Sequence, residues 1–151
     1  MLVFRVTRRK YANDLKGEGA RLFGGRWNHP MTPCLYTADS RALAILEYSV
    51  NTGADQIPRD LVMLTLEIPE DNLMMLKWEC LPPDWQESPP PISTRNMGTL
   101  ILNETDVAVI GVPSTVVPEE RNFLLNNRHM PKGWPRIVEL KPLSYDLRIK
   151  G

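Results

Sequence analysis

Aliphatic residues recur at every second position in one segment of the chain. Between Leu61 and Ile68 the even-numbered positions are all aliphatic, whereas Met63, Thr65 and Glu67 fall on the opposite face. This period of two predicts a strand with one buried face. Further strands are predicted at Leu2–Val6, Cys34–Thr37, Val107–Val112, Ile137–Leu140 and Tyr145–Ile149.

A second pattern is apolar on nearly every side and predicts a buried helix. Asp39 or Ser40 supplies its N-cap, and the helix ends at about Val50, before Gly53. Weaker patterns predict a helix at Ser93–Asn103 and a short helical turn at Pro118–Leu125. Because the strands outnumber the helices and do not alternate regularly with them, the sequence predicts an α+β domain.

Glycine and proline mark the irregular segments. Residues 17–34 contain four glycines and two prolines, which predict a loop. Five prolines between Pro82 and Pro91 give a stiff connection that could pass for a domain linker. The 60 residues after it are too few and too strand-rich to fold comfortably alone. We therefore predict one domain over residues 1–151.

The charge balance argues against a protein that binds nucleic acid by bulk electrostatics. Lys plus Arg number 18 and Asp plus Glu number 18, so the net charge is zero, whereas such domains are usually strongly basic. Arg5, Arg8, Arg9 and Lys10 form a local basic patch, which we interpret as a solvated strand end. We expect no direct contact with nucleic acid.

The cysteines and histidines indicate neither a metal site nor a secreted protein. Cys34 and Cys80, with His29 and His129, lack metal-ligand spacing, and free buried thiols are expected in place of a disulfide. The N-terminus has no apolar segment of signal-peptide length, and no run approaches the roughly 20 apolar residues of a membrane span. We expect a cytoplasmic protein without a membrane partner.

A glycine-rich loop, Gly24-Gly25-Arg26-Trp27-Asn28, is the first candidate binding element. The glycines allow the backbone to approach a ligand, and Arg26 can reach a phosphate with a forked pair of donors. Trp27 adds a large surface for stacking or packing. Taken alone, these residues favour a tight turn with an exposed arginine and a core tryptophan.

Glu47 is the second candidate, because it lies within the apolar helix. A carboxylate there is costly unless it is paired or points into a polar cleft. The alternatives are a catalytic carboxylate, a glutamate on the one exposed stripe of the helix, or a buried partner for an arginine.

Three other residues have weaker individual signals. Tyr36 ends a short strand, where its ring could stack on a ligand or pack in the core. Ser114 follows an apolar strand, where its hydroxyl could bind a ligand or stabilise a turn. His129 could act as a general base, but a structural hydrogen bond is the more common role for a surface histidine.

These segments occur in an order that resembles the RES family of bacterial toxins, named for Arg, Glu and Ser. The resemblance covers almost the whole chain. Its segments are Phe4-Arg5-Val6, Gly17-x-Gly19-Ala20, Gly24-Gly25-Arg26-Trp27-Asn28, Leu35-Tyr36-Thr37, Leu43-Ala44-Ile45-Leu46-Glu47, Val112-Pro113-Ser114, Val116-Val117-Pro118, Asn122 to Asn126 with His129, and Asp146-Leu147-Arg148.

The resemblance implies an ADP-ribosyltransferase-like fold, with packed mixed or antiparallel sheets around an NAD cleft and flanking helices. It implies that NAD⁺ is the substrate, with no further cofactor and no metal, and that an Xre-like antitoxin is the partner. Arg26, Tyr36, Glu47 and Ser114 correspond to the family's active-site residues. Arg26, Trp27, Asn28, Tyr36 and Ser114 are expected to bind NAD⁺.

The implied reaction is cleavage of the nicotinamide–ribose bond by hydrolysis or phosphorolysis. A protein ADP-ribosyltransferase and a non-catalytic nucleotide-binding module are the alternatives. This sequence departs from the family at three places: Gly111 replaces a basic residue, Asn127 replaces a proline, and Thr99-Leu100-Ile101 replaces a more polar stretch.

Overall fold

The computed structural model describes residues 1–151 and contains one sheet of seven strands with three helices. In chain order the elements are β1 (Leu2–Arg8), α1 (Glu18–Phe23), β2 (Leu35–Ala38), α2 (Arg41–Val50), β3 (Leu61–Glu67), β4 (Leu73–Met75), α3 (Ile92–Glu104), β5 (Val109–Pro113), β6 (Arg121–Leu125) and β7 (Arg136–Pro142). The strand order is β4-β5-β6-β2-β1-β3-β7. Only β4 and β5 are parallel, so the sheet is mixed, and the α+β prediction is confirmed.

The sheet consists of two halves that pack against each other. Strands β1 and β2 join the halves through a single residue pair, Phe4 and Ala38. A shared core then combines side chains of β1 and β3 with side chains of β2, β5 and β6. Its members on these strands include Val3, Leu35, Val62, Leu64, Leu66, Val109, Phe123 and Leu125. The expected packed sheets are therefore two halves of one hydrogen-bonded sheet.

Strand β3 is buried on both faces, so the prediction of a half-buried strand is wrong. Its even-numbered residues face the core between the sheet halves, as their alternation indicates. Leu61 and Met63 on the other face pack with Leu43 and Ala44 of α2. This packing buries Met63 on the face that was expected to be exposed, and Thr65 on the same face is also buried. No helix in the structure combines the length and the hydrophobicity that a membrane crossing requires.

Helix α1 lies inside the segment predicted as a loop, and that prediction is wrong for residues 18–23. The Asp14 carboxylate accepts a hydrogen bond from the Glu18 N–H at 3.0 Å and satisfies one free donor at the start of the helix. Gly17 has φ +77°, and a Cβ there would lie 2.4 Å from the Cys34 carbonyl carbon. Only glycine fits this turn.

Two other predictions are wrong near the C-terminus. The segment predicted as a helical turn contains strand β6, which pairs with β5 and β2. The last predicted strand is a 3-10 turn at Leu147–Ile149. This tail packs on α2, where the Tyr145 hydroxyl lies 2.6 Å from Ser49 Oγ. The predicted N-cap is confirmed as Ser40, whose side chain accepts from the Leu43 N–H.

Candidate active site

A cleft of about 780 Å³ lies between β1, α2 and the glycine-rich loop. Of the residues predicted to act together, Arg26, Tyr36 and Glu47 line this cleft, and so does Trp27. Ser114 and Asn28 lie behind its wall, where each contacts a lining residue. The structure therefore brings distant parts of the sequence around a single cleft.

Ser114 fixes the orientation of Glu47. The Ser114 hydroxyl donates to Glu47 Oε1 at 2.7 Å. Its oxygen in turn accepts the N–H groups of Val116 and Val117 at 3.0 and 3.1 Å. These amides fill the acceptor positions of the hydroxyl, so that its only proton points at the carboxylate. Ser114 is fully buried and acts on the cleft through Glu47.

Arg26 connects the cleft to the proline-rich segment. Its Nη1 donates to the carbonyl oxygens of Trp85 and Glu87 at 3.0 and 2.7 Å. The Nε and Nη2 groups donate to no protein acceptor, which leaves them for a ligand. Burial lowers the pKa of Arg26, whereas the nearby Glu47 carboxylate opposes this shift. The Arg26 guanidinium and the Glu47 carboxylate therefore share one cleft and interact electrostatically across it.

The Tyr36 hydroxyl holds the glycine-rich loop in place. It accepts from the Trp27 N–H at 3.0 Å and donates to Asn28 Oδ1 at 2.6 Å. Burial raises the pKa of Tyr36 well above its ordinary value, so the phenol is neutral. A Cβ on Gly25 would lie 2.7 Å from the Tyr36 oxygen, which explains why glycine occupies that position.

The loop also packs directly on helix α3. Trp27 is 3% exposed and shares a core with Leu81 and Trp85. A Cβ on Gly98 of α3 would lie 1.9 Å from the Trp27 carbonyl oxygen. The two N–H groups of the Asn28 amide are shared among three carbonyl oxygens, those of Ala20, His29 and Thr32. Asn28, fully buried, therefore stabilises the loop from behind the cleft.

Arg5 is a cleft residue that the sequence interpretation missed, and the solvated strand end is wrong for this side chain. It is partly buried, and its Nη1 donates to the Tyr36 carbonyl oxygen at 2.8 Å. No carboxylate lies within 4.0 Å of it, although Asp14 acts from a greater distance. Burial lowers the pKa of Arg5. Its position between Phe4 and Val6 in an apolar strand was the signal.

The other charge at this end of β1 is already paired. Arg8 donates to both carboxylate oxygens of Asp60 at 3.0 and 3.3 Å. Arg8 lines the cleft as Arg5 does, yet its charge is neutralised there. Arg5 is therefore the β1 cation that can attract an anion into the cleft.

Asn122 and His129, which are close in sequence, lie apart in the structure. Asn122 lines the cleft, where its amide donates to the Thr37 carbonyl oxygen at 3.4 Å. His129 lies elsewhere, with its Nδ1 at 3.9 Å from Asp106. Arg128 donates to the Leu102 carbonyl oxygen on α3. The geometry gives His129 a surface contact outside the cleft.

Two departures from the family pattern have structural counterparts. Gly111 lies in β5 against Met75, whose Sδ would be 2.3 Å from a Cβ at position 111. No larger side chain fits without movement of Met75. Thr99 accepts the His29 N–H through its hydroxyl at 2.9 Å and ties α3 to the residue after the loop.

The chain matches known proteins over its full extent. The RES domain family matches residues 2–148. "Toxin Res" of Yersinia enterocolitica is 36% identical over 99% of this chain and 100% of its own length. The "Prs ADP-ribosylating toxin" of Sphingobium sp. strain YBL2 is 32% identical over 91% of this chain and 88% of its own length.

A solved structure shares the fold. It is the Mycobacterium tuberculosis MbcT–MbcA toxin–antitoxin complex, with a TM-score of 0.80 and 20% identity over 99% of this chain and 87% of that chain. MbcT bears the name NAD(+) phosphorylase and is 56% identical to this chain over 38 residues, or 24% of this chain and 20% of its own length. The chain belongs to the RES domain family.

Proposed function

We propose that this chain is a toxin that cleaves the nicotinamide–ribose bond of NAD⁺. The observation that carries the proposal is the Glu47 carboxylate, held by Ser114 in the same cleft as Arg26 and Tyr36. This arrangement combines a fixed negative charge, an aromatic ring and cationic donors. The names of MbcT and of the Sphingobium relative support NAD⁺ as the substrate class.

The reaction passes through a ribose that carries positive charge. The C1′–N bond breaks and its electron pair neutralises the nicotinamide nitrogen, while an oxygen of water or phosphate forms the new bond to C1′. An attacking water releases its proton to the solvent, whereas an ionised phosphate oxygen has none to lose. Oxocarbenium-like transition states are typical of glycosyl cleavage. Glu47 stabilises that charge, and because Ser114 fixes the carboxylate beforehand, the site needs no reorganisation during the reaction.

The other cleft residues bind and orient the dinucleotide. Arg5 and the free donors of Arg26 attract the pyrophosphate, since each offers charge-assisted hydrogen bonds. The Tyr36 ring stacks on the nicotinamide while its hydroxyl remains engaged with the loop. The acceptor is water or inorganic phosphate, and the name of MbcT favours phosphate. The residues hold NAD⁺ as substrate, with no further cofactor in the scheme.

Substitution of Glu47 tests this proposal. Glu47→Gln keeps the size of the side chain and removes its charge, so turnover of NAD⁺ should fall about 100- to 1,000-fold. Glu104→Gln, on the exposed surface of α3, is the matched control and should retain the parental rate. Parental turnover in Glu47→Gln would refute the role of the carboxylate.

A protein ADP-ribosyltransferase is the second candidate function, favoured by the name of the Sphingobium relative. The same cleft would then transfer ADP-ribose to a side chain of a target protein. Incubation of a cell lysate with adenylate-labelled NAD⁺ separates the two functions. Label on protein supports transfer, and label only in small molecules supports hydrolysis or phosphorolysis.

We also propose an Xre-like antitoxin as the protein partner. The support is the family of toxins to which the relatives belong and the MbcT–MbcA complex, whose toxin shares this fold. The product of a gene next to the gene for this chain should co-purify with this chain and suppress its consumption of NAD⁺ at equal molar amounts. A neighbouring protein that neither binds nor inhibits would contradict this pairing.

A further inference from the structure

The cleft extends along β1 well beyond Glu47 and Tyr36. All five residues from Phe4 to Arg8 line it, a distance of about 13 Å along a strand. On the opposite side, Ala44, Glu47, Tyr48 and Asn51 recur at helical spacing, so one face of α2 follows the same cleft. The region around Glu47 therefore occupies only part of the available length.

The remaining part, here called the tyrosine end, is lined by Tyr11, Tyr48, Asn51 and Thr52. Tyr11 is 54% exposed although it lines a concave surface. Exposed aromatic surface inside a cleft is typical of a ligand site. The Lys10 ammonium lies over the Tyr11 ring, 5.0 Å from its centroid, and half of the side chain remains exposed for contact with a flat ligand.

The charges at the tyrosine end suit a neutral ring. Arg8 lines the same cleft as Tyr11 and Tyr48, and its pKa is raised, most by its hydrogen bonds to Asp60 and further by the two phenols. Because Asp60 neutralises this guanidinium and Lys10 is exposed to solvent, the tyrosine end lacks the unpaired, partly buried cation that Arg5 supplies further along β1. A phosphate is therefore better placed at Arg5.

Asn51 adds a polar side chain whose amide oxygen has no hydrogen-bond partner. Its Nδ2 donates to the Glu47 carbonyl oxygen at 2.8 Å, and its Oδ1 accepts no hydrogen bond. A free amide oxygen in the same cleft as an exposed aromatic ring suits the adenine edge, whose amino group is a donor.

We propose that the tyrosine end binds the adenine ring of the dinucleotide, with stacking on Tyr11 and the Asn51 oxygen facing the adenine amino group. This assignment rests on the proposed function, because it places the nicotinamide half at Glu47 and the pyrophosphate at Arg5. It makes the adenylate half a determinant of substrate choice. The protein should therefore prefer NAD⁺ to nicotinamide mononucleotide, which lacks that half.

Comparison of the two substrates tests the proposal. Base–aromatic stacking gives roughly 5- to 150-fold in binding, so Tyr11→Ala should raise KM for NAD⁺ by at least about fivefold. Its kinetic constants for nicotinamide mononucleotide should not change. Tyr11→Phe should retain the parental KM, because the ring remains. Phe23→Ala removes an exposed aromatic ring outside the cleft and is the control.

Equal effects of Tyr11→Ala on both substrates, or none on either, would overturn the assignment. Calorimetry with AMP separates this result from failure of the proposed function. If the parental protein cleaves neither substrate, the proposed reaction is wrong, but AMP binding that Tyr11→Ala abolishes would still support an adenine site. AMP binding that is equal in the two proteins would overturn the site.

Discussion

The Ser114 hydroxyl donates its only proton to the Glu47 carboxylate at 2.7 Å, although 67 positions separate the two residues. The serine directly follows strand β5, and the glutamate lies in helix α2. The resemblance to the RES family implied that both belong to the active site. The structure adds that Glu47 lines the cleft, whereas Ser114 lies behind it and orients the Glu47 carboxylate.

Loss of the Ser114 hydroxyl should therefore reduce turnover more than binding. Ser114→Ala should lower kcat about 10- to 100-fold with little change in KM, because the carboxylate loses its fixed position. Ser49→Ala removes another buried hydroxyl, the partner of Tyr145, and should destabilise the fold without this loss. Steady-state kinetics and thermal unfolding of both variants distinguish the effects. Equal kcat values in the two variants would refute the role of Ser114.

The unpaired cation Arg5 should act on binding of NAD⁺. Arg5→Gln should raise KM for NAD⁺ about 10- to 100-fold, since a charge-assisted contact with phosphate is lost from a partly buried site. Arg8→Gln removes a charge from the same strand and cleft, but Asp60 already neutralises it, so KM should change by less than about twofold.

Arg5→Lys separates charge from structure in this comparison. It keeps the positive charge but loses the forked geometry, and should recover part of the affinity for NAD⁺. Equal KM values for Arg5→Gln, Arg8→Gln and the parental protein would contradict a phosphate role for Arg5.

Close packing of Gly98 against the glycine-rich loop predicts a sharp effect on stability. Gly98→Ala should lower the free energy of unfolding by about 1–3 kcal/mol or more, because its Cβ overlaps the Trp27 carbonyl oxygen. Gly19→Ala is the control, since a Cβ there has no neighbour within 4 Å and α1 tolerates alanine. Denaturant unfolding measures both variants. A Gly98→Ala variant as stable as Gly19→Ala would show that the contact relaxes freely.

The buried Tyr36 phenol predicts loss of stability at alkaline pH. Its pKa is raised in the folded protein by burial, so unfolded tyrosine ionises first as the pH rises above about 10. In that range the unfolded state is stabilised and the free energy of unfolding falls, by about 1.4 kcal/mol per pH unit for one proton. Tyr36→Phe should be less stable at neutral pH but show a shallower alkaline decline. Parallel declines in the two proteins would contradict the assignment.

The sequence correctly predicted the helices and strands that are specified by residues within the element itself. Ser40 caps α2 as its side-chain chemistry indicates, and β5 coincides with a compact apolar run. Strand β6 was missed because its pairing with β2 and β5 is non-local, and Arg121 and Asn122 interrupt its apolar pattern. The burial of β3 on both sides depends on where α2 packs, which alternation alone does not encode.

The residues of the candidate active site also fall into those that the sequence predicted and those that it did not. Arg26, Tyr36 and Glu47 line one cleft, as the resemblance implied. In contrast, no spacing rule shows that the Asn28 amide is hydrogen-bonded to backbone carbonyl groups and so unavailable to a ligand. Arg5 was overlooked because a cluster of four basic residues resembles an exposed surface. Only the fold separates Arg5, without a counter-ion, from Arg8, which is paired with Asp60.

Cleavage of NAD⁺ is tested most directly by chromatography of NAD⁺ that has been incubated with the pure protein, with and without inorganic phosphate. We expect one nicotinamide released for each NAD⁺ lost, together with ADP-ribose in water or its phosphorylated form with phosphate, and formation of both products about 100- to 1,000-fold more slowly with Glu47→Gln. NAD⁺ that remains intact with the parental protein under both conditions would contradict cleavage of NAD⁺ by this chain.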